Sequence, residues 1–410
     1  MLGRTGANRP FLVVETQKGP SMRYLDSIFA NLLKPIDRRQ FRAIVTRHNG
    51  DAYDKSFKSW DHLVTLIFAQ LSHTDTLRGL ELAFNVNAQH HYHLNVDKLS
   101  RTTLSDANKR RPVGVFADTF TMLSQLADRT MRREGAQMIR LIDASPVPLG
   151  KLCHWATWNG RIRGMKMHVI YDPDADRPQG VDITAATVND VEIGQKVAIE
   201  AGATYVFDKG YCHFGWWQKI NDDGAFFVTR AKVNCRLRST KRRPLRKRKA
   251  DGFRVLDDHE VMLVSKGHSR PRLTMPLRRI RVRRDKGGIM TLITNDLARP
   301  AIEIAELYKH RWQIELLFRW IKQHLRIRKF LGTNENAIRL QILAAMIAYL
   351  LLRIAARLNS LHMPALRLAE LICQFLFARR PIAKIDKPPP LNPRTVQPKF
   401  SPDQLEFCYA

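Results

Sequence analysis

The stretch Tyr308-Lys-His-Arg-Trp-Gln-Ile-Glu-Leu-Leu-Phe-Arg-Trp-Ile-Lys322 decides how the rest of the chain is read. It holds no Gly or Pro, and apolar residues recur at helical spacing through Leu307, Ile314, Leu317, Phe318, Ile321 and Leu325. Its polar residues Tyr308, Arg311, Glu315 and Lys322 stand at offsets of 0, 3, 7 and 14. At about 100° per residue these fall near 0°, 300°, 340° and 320°, a single stripe. The spacing predicts one helix that lines a phenol, a guanidinium, a carboxylate and an ammonium along one face. On an arbitrary helix such a stripe is a solvated charged face. Two carboxylates upstream, each ending an apolar strand, give it another meaning.

The first is in Met138-Ile-Arg-Leu-Ile-Asp143 and the second in Thr204-Tyr-Val-Phe-Asp208. If these strands are neighbours in one sheet, both Asp side chains reach the same edge, and a helix packed across it delivers Glu315. Three such acids among 38 Asp and Glu could be unrelated. Together with the stripe they predict a cluster able to hold two Mg²⁺ ions, because hard divalent cations prefer carboxylate oxygens. Mn²⁺ is the expected substitute. Two ions about 3.5–4 Å apart activate the attacking oxygen and stabilise the leaving oxygen in phosphoryl transfer. Asp143, Asp208 and Glu315 are thus the predicted catalytic and metal-binding residues. Tyr308, Arg311 and Lys322 are the predicted DNA contacts, through forked or point-charge contact with phosphates and stacking on an unpaired base.

The composition agrees with a polyanionic partner. A chain of 410 residues with 44% hydrophobic content is globular and long enough for two or three domains. Its net charge of +30 and pI near 10.4 favour nucleic acid. Cys153, Cys212, Cys235, Cys373 and Cys408 are odd in number and form no C-x-x-C pair, which suits a reducing compartment. The Cys153-His154 and Cys212-His213 pairs do not have the spacing of zinc fingers. The longest apolar run, Leu340 to Leu352, is short, contains Gln341 and is flanked by Arg339 and Arg353. It predicts a buried helix in a cytoplasmic protein with no membrane partner.

In chain order, residues 1–21 read as a disordered leader, with Met22 a second candidate start. Residues 22–132 read as a helical DNA-binding domain. There Ser100 to Arg111 resembles a helix docked on phosphates, possibly the second half of a helix-turn-helix, closed by Pro112; an ordinary basic helix fits equally. Residues 133–233 form the first part of a catalytic domain. Its predicted strands include Cys153 to Trp158 and Gly164 to Tyr171, and a helix is expected from Val191 to Ala201, stopped by Gly202. Residues 234–286 read as a basic β-rich insertion with its own small sheet. Within it, Lys241 to Lys249 carries seven Lys or Arg in nine positions and is expected to track a DNA backbone. Residues 287–332 complete the catalytic domain, 333–380 are helical, and 381–410 form an extended tail.

With these residues in hand, the chain resembles the bacterial insertion-sequence transposases of the DDE type, of the family-four kind marked by Y-x-x-R-x-x-x-E-x-x-x-x-x-x-K. Tyr308, Arg311, Glu315 and Lys322 match that signature at every position. Leu-Ile-Asp143 resembles the first-aspartate strand and Phe-Asp208-Lys-Gly-Tyr211 the second. The likeness runs from about residue 22 to 360. It implies an α/β fold: a ribonuclease-H-like catalytic domain interrupted by a β-rich insertion, with helical N- and C-terminal regions. It implies an enzyme that binds terminal inverted repeats and performs metal-dependent cleavage and strand transfer. Transposon ends and target DNA are the implied partners, handled by a homodimer. Cut-and-paste relatives flip a base with an aromatic wedge in the insertion. This chain departs there: Phe253 is the only Phe, Tyr or Trp between Asn234 and Lys286. Two rival readings use the same residues. One is a metal-dependent nuclease without strand transfer, and the other is a basic DNA-binding regulator without chemistry.

Overall fold

The computed structural model describes residues 26–72, 74–131, 137–160, 162–232, 235–245, 249–264, 273–324 and 330–387, with the backbone alone at 324 and 365. The leader, most of the tail, and Arg246 to Arg248 of the basic run lie outside the described residues. Seven helices come first: α1 (Ile28–Leu33), α2 (Arg38–Arg47), α3 (Ser59–Leu71), α4 (Leu77–Asn85), α5 (His91–Leu94), α6 (Arg101–Arg110) and α7 (Val113–Met131). Three strands follow, β1 (Ile139–Pro148), β2 (Gly164–Asp172) and β3 (Arg177–Ala185), then α8 (Asp190–Gly194). Next come β4 (Thr204–Phe207), α9 (Phe214–Asp222) and β5 (Phe226–Arg230). The insertion supplies β6 (Leu237–Arg242), β7 (Lys249–Ala250), β8 (Phe253–Leu263) and β9 (Leu277–Arg284). The chain closes with β10 (Ile289–Thr294), α10 (Ala301–His310), α11 (Trp312–His324), α12 (Glu335–Leu358) and α13 (Ala365–Phe375).

One sheet runs through the molecule in the order β3-β2-β1-β4-β5-β10-β9-β8-β6, with β7 paired to β8. β1, β2 and β3 are antiparallel, whereas β1, β4 and β5 are parallel. This is the ribonuclease-H-like arrangement. One face carries Leu141, Val206 and Val228 into the larger core, shared with α10, α11 and α12. The other carries Ile142, Tyr205, Phe207 and Phe227 against Trp216 and Trp217 of α9. Alternate residues of each strand point to opposite faces, so both faces are apolar and both are covered.

α12 is the spine. Asn334 caps it, accepting from the Ala337 amide, and its buried residues go right round the helix. It packs on α3, α6, α7, α13 and β3. It is long and apolar enough to cross a membrane, but 89% of its most apolar window is buried inside the protein, so its apolar surface is already used. The expected buried helix is therefore present.

Five local expectations are corrected. Residues 153–157 form turns rather than a strand, with Cys153 donating to the Gly150 carbonyl and Ala156 to that of Cys153, and Trp158 makes an isolated bridge to Arg163. β3 escaped the sequence reading because of Pro178 and Gly180. Pro178 is tolerated because β3 is an edge strand and the register shifts beside Tyr171, its partner. The helix expected over 191–201 stops at Gly194, in a run of Val and Ile that favour helix weakly. Gly194 lies so close to Tyr211 that a Cβ there would stand 2.9 Å from its ring. The insertion has no separate sheet: β9 pairs with β10 along its length and so extends the catalytic sheet. Finally, β1 does not end at Asp143 but runs on to Pro148, paired with β2.

Among the helices, His62 of α3 is fully buried. Its Nε2 meets Asn108 Oδ1 at 2.8 Å, and its ring lies edge-on to Phe116. Burial pulls its pKa down to about 3. The unfolded chain therefore binds a proton that the folded chain refuses, and stability present above pH 6.5 is lost as pH falls, by about 1.4 kcal/mol per unit. Urea unfolding of wild type and His62→Gln at pH 8 and pH 5 tests this. The variant is expected to lose distinctly less stability between the two; equal losses would show that His62 does not set the slope.

Candidate active site

The register of the parallel strands builds the site. β1 pairs with β4 through Ile139↔Thr204 to Ile142↔Phe207, and β4 pairs with β5 through Thr204↔Phe226 to Phe207↔Thr229. The next residue on each strand is Asp143, Asp208 and Arg230. These three stand in one row across neighbouring strands, at the carboxyl ends of β4 and β5 and midway along β1, on the face that carries Leu141, Val206 and Val228. Arg230 was not singled out in the sequence, although it follows an apolar strand just as the two aspartates do.

The signature residues lie over this row, but on two helices rather than one. α10 ends at His310 and α11 begins at Trp312, with Arg311 at the joint. The Arg311 amide donates to the Tyr308 carbonyl, and the Ile314 amide to that of Arg311, both tighter than α-helical spacing. At the joint the guanidinium spans two acids: Nη2 donates to Glu315 Oε1 at 2.6 Å, and Nη1 lies 3.4 Å from Asp143 Oδ2. Tyr308 is 6% exposed, and its hydroxyl is aimed at Asp208 Oδ1 at 3.4 Å. Lys322 lies seven residues beyond Glu315 on α11 and is partly buried.

These contacts set the protonation behaviour. Burial pushes the Asp143 pKa up to about 6, and the charges of Glu315 and Asp208 add to the rise. The Ala144 amide, donating to Asp143 Oδ1 at 2.9 Å, and Arg311 oppose it. Burial takes the Tyr308 phenol to about 12, with Asp208 raising and Arg311 and Arg230 lowering it. Burial by itself would lower the Arg311 pKa; Tyr308, Glu315 and Asp143 more than reverse this, and the guanidinium stays charged. Tyr211 completes the surroundings: its buried hydroxyl has no hydrogen-bond partner among the described residues, and burial raises its pKa.

The acids are near one another without forming a finished metal cage. Among the described residues no three His, Cys, Asp or Glu side chains are placed to hold a metal ion together. The positive charge between Asp143 and Glu315 is Arg311. The donor set still fits a hard divalent cation: it consists of carboxylate oxygens, and it already gathers a cation between two of them.

Beyond the same edge, the loop after β1 exposes Leu152, Trp155 and Trp158, and α11 exposes Trp312 and Leu316. Trp155 is fixed there, its Nε1 donating to the Thr333 carbonyl at 2.6 Å. In the insertion Phe253 is buried.

A family model described as a transposase DDE domain matches residues 134–351, and a domain of unknown function (DUF4372) matches residues 25–96. The chain is 60% identical over 306 residues to the Sinorhizobium fredii protein named transposase y4zB, covering 75% of this chain and 85% of that one. It is 29% identical to the Geobacillus stearothermophilus protein named as the transposase for insertion sequence element IS5377, over 69% of this chain and 77% of the relative. A chain of the cryo-EM structure of the piggyBac transposase synaptic complex with hairpin DNA overlays with a TM-score of 0.42 at 10% identity, over 88% of this chain and 80% of that one.

The Arg311 bridge is testable without substrate. Arg311→Ala is expected to lower stability by roughly 1.5–3 kcal/mol, because it strips hydrogen bonds from charged groups. A double-mutant cycle with Glu315→Gln should give a coupling of about 0.5–3 kcal/mol. Additive effects in chemical unfolding would mean that the contact carries no energy.

Proposed function

We propose, from the premise that the chain belongs to the transposase DDE family, that it binds the terminal inverted repeats of an insertion sequence and catalyses their cleavage and transfer to target DNA. The observation that supports this most is the row of Asp143 and Asp208 with Glu315 brought over it by α11. The DDE family implies dependence on a divalent metal, and Asp143, Asp208 and Glu315 are the residues that would hold Mg²⁺ or Mn²⁺. When bound, such ions polarise the phosphodiester and stabilise charge on the attacking and leaving oxygens.

The surrounding residues then have distinct tasks. Arg311 presents a fork of donors that suits phosphate oxygens as well as it suits carboxylates, so it can pass from the acids to an incoming DNA strand. Arg230 and Lys322 place further positive charge along that strand. Tyr308 is buried against Asp208 and serves to orient that carboxylate; stacking on an unpaired base would need it exposed. The rival readings differ in outcome. A nuclease would leave its 3′-OH ends unjoined, and a regulator would not cut. Action on chromosomal DNA places the protein in the bacterial cytoplasm, and pairing of two transposon ends calls for a homodimer in the DNA complex.

The insertion extends the basic surface. Arg238, Lys241, Arg242 and Lys249 are exposed along the edge hairpin, whereas Arg243 is tied to Glu260 at 2.9 Å. Charge on an edge strand also discourages edge-to-edge association. DNA tracking and edge protection make different predictions for salt dependence.

Two experiments follow. With Mg²⁺ or Mn²⁺ and duplexes carrying the terminal repeats, wild type is expected to nick the repeat ends and join the 3′-OH to a second DNA. Asp143→Ala, Asp208→Ala and Glu315→Ala should each abolish cutting while duplex binding persists, and an Asp143→Ala protein that still cuts would sink the assignment. Separately, converting Lys241, Arg242 and Lys249 to Gln should weaken binding to all duplexes alike. It should also reduce the slope of log affinity against log salt by up to about 3. An unchanged slope would leave these residues as edge protection only.

A further inference from the structure

α1 and α2 are joined by four residues, Lys34 to Asp37, the spacing of a helix-turn-helix. Asp37 caps α2, its Oδ1 accepting the Gln40 amide at 2.7 Å. α2 reads Arg-Arg-Gln-Phe-Arg-Ala-Ile-Val-Thr-Arg and buries only Phe41, Ile44 and Val45. The opposite side is exposed, and it carries four arginines and no acid. At about 100° per residue, Arg39, Ala43 and Thr46 run down the middle of that side, with Arg38 and Arg42 on one flank and Gln40 and Arg47 on the other.

Arg38 and Arg39 stand in the first turn, at the positive end of the helix dipole, with the capping Asp37 the acid beside them. Arg38 is held in place, its guanidinium 3.5 Å from the centre of the Trp60 ring, whose Nε1 donates to the Leu94 carbonyl. Arg47 pairs with Asp118 at 3.0 Å. Arg39 and Arg42 have no carboxylate within ion-pair distance among the described residues. A polyanion would supply what the fold withholds.

We propose that α2 is the helix that reads the terminal-repeat duplex through its major groove. Arg and Gln are the side chains whose forked ends match guanine O6/N7 and adenine N6/N7, and the methyl groups of Ala and Thr suit the thymine methyl. The short Ala43 and Thr46 allow the helix axis to approach the base edges. α6, the helix that the sequence favoured for docking, is less suited. Its exposed side mixes Asp106 with Lys109 and Arg110, and Arg111 is buried beneath it. This leaves α6 as at most a contact to the DNA backbone. The assignment rests on the reading of the chain as a transposase that binds its own element's ends.

Full-length protein is titrated at fixed salt against a duplex carrying the element's terminal repeat and a shuffled duplex of equal composition. Gln40→Ala and Arg39→Lys are each expected to reduce the preference for the repeat about tenfold. Arg39→Lys keeps its charge and should bind the shuffled duplex as wild type does. Lys109→Gln with Arg110→Gln should lower both affinities alike. Methylation of guanine N7 by dimethyl sulfate should block wild-type binding at a base where Arg39→Ala is indifferent. Circular dichroism establishes that these exposed substitutions leave the helices intact. Folded α2 variants that keep the full preference overturn the assignment while leaving the transposase reading in place. A wild-type protein with no preference for the repeat overturns both.

Discussion

Three carboxylates cannot be gathered at one sheet edge without a positive charge among them, and this constraint organises the molecule. Parallel pairing sets Asp143 beside Asp208, and the packing of α10 and α11 on the same face brings Glu315 over them. Burial raises the cost of ionising Asp143, and the charges of Glu315 and Asp208 add to it. The fold answers with Arg311, placed where a tight turn separates two helices. A straight helix would carry the same residue along the stripe. The break instead lets one guanidinium touch acids from a strand and from a helix.

That local solution is held by long-range packing. α12 is buried against the N-terminal helices on one side and the sheet on the other. Polar contacts along it fix its register: Asn336 donates to the carbonyls of Asn108 and Arg111, and Arg339 to that of Ile183. Further along, Tyr349 and Arg353 both meet Asp176, at the β2–β3 turn. Asp176 adopts a positive φ of 47°, which ordinary residues avoid. The helical domain and the catalytic sheet therefore share one spine.

Much of this was legible because it depends on local pattern. An apolar run ending in Asp gave the β4 end and located β1, though not its end, and the helical period placed Glu315 on the face that meets Arg311. What failed were features set by partners distant in sequence. β3 carries Pro and Gly and is a strand only because β2 pairs with it. The insertion joined the main sheet because β10 offered β9 a free edge, which no feature of residues 234–286 announces. The joint at Arg311 has no Gly or Pro to mark it. Arg230 ends β5 as Asp208 follows β4, but a strand-end arginine carries no metal-ligand chemistry that would mark it in a chain this basic. The inward turn of Tyr308 is likewise a packing outcome: the spacing placed it on the stripe, and only the burial of α10 shows that it faces Asp208 and not solvent.

In a chain with a net charge of +30, the useful distinction among cations is whether the fold satisfies them. Arg111 is buried and donates to the Gly50 and Phe57 carbonyls, to Asp51 and to Ser59. Arg278 is buried, with Nε and Nη2 donating to the two oxygens of Asp258 and Nη1 to the Asp296 and Arg299 carbonyls. Arg177 meets Asp128 and Asp172 beneath α7. Removing any of these leaves buried partners uncompensated, so their worth is structural. Among the described residues, Arg39 and Arg42 of α2 and the exposed cations of the edge hairpin have no comparable partners. Between the two classes stands Arg311, whose two terminal nitrogens meet the acids that the proposed reading assigns to the metal. Its contacts are strong enough to hold the unliganded site together, and its fork is equally suited to a phosphate. In the proposed reading a DNA phosphate takes over these charge-assisted hydrogen bonds, which frees Asp143 and Glu315 to hold the divalent ion.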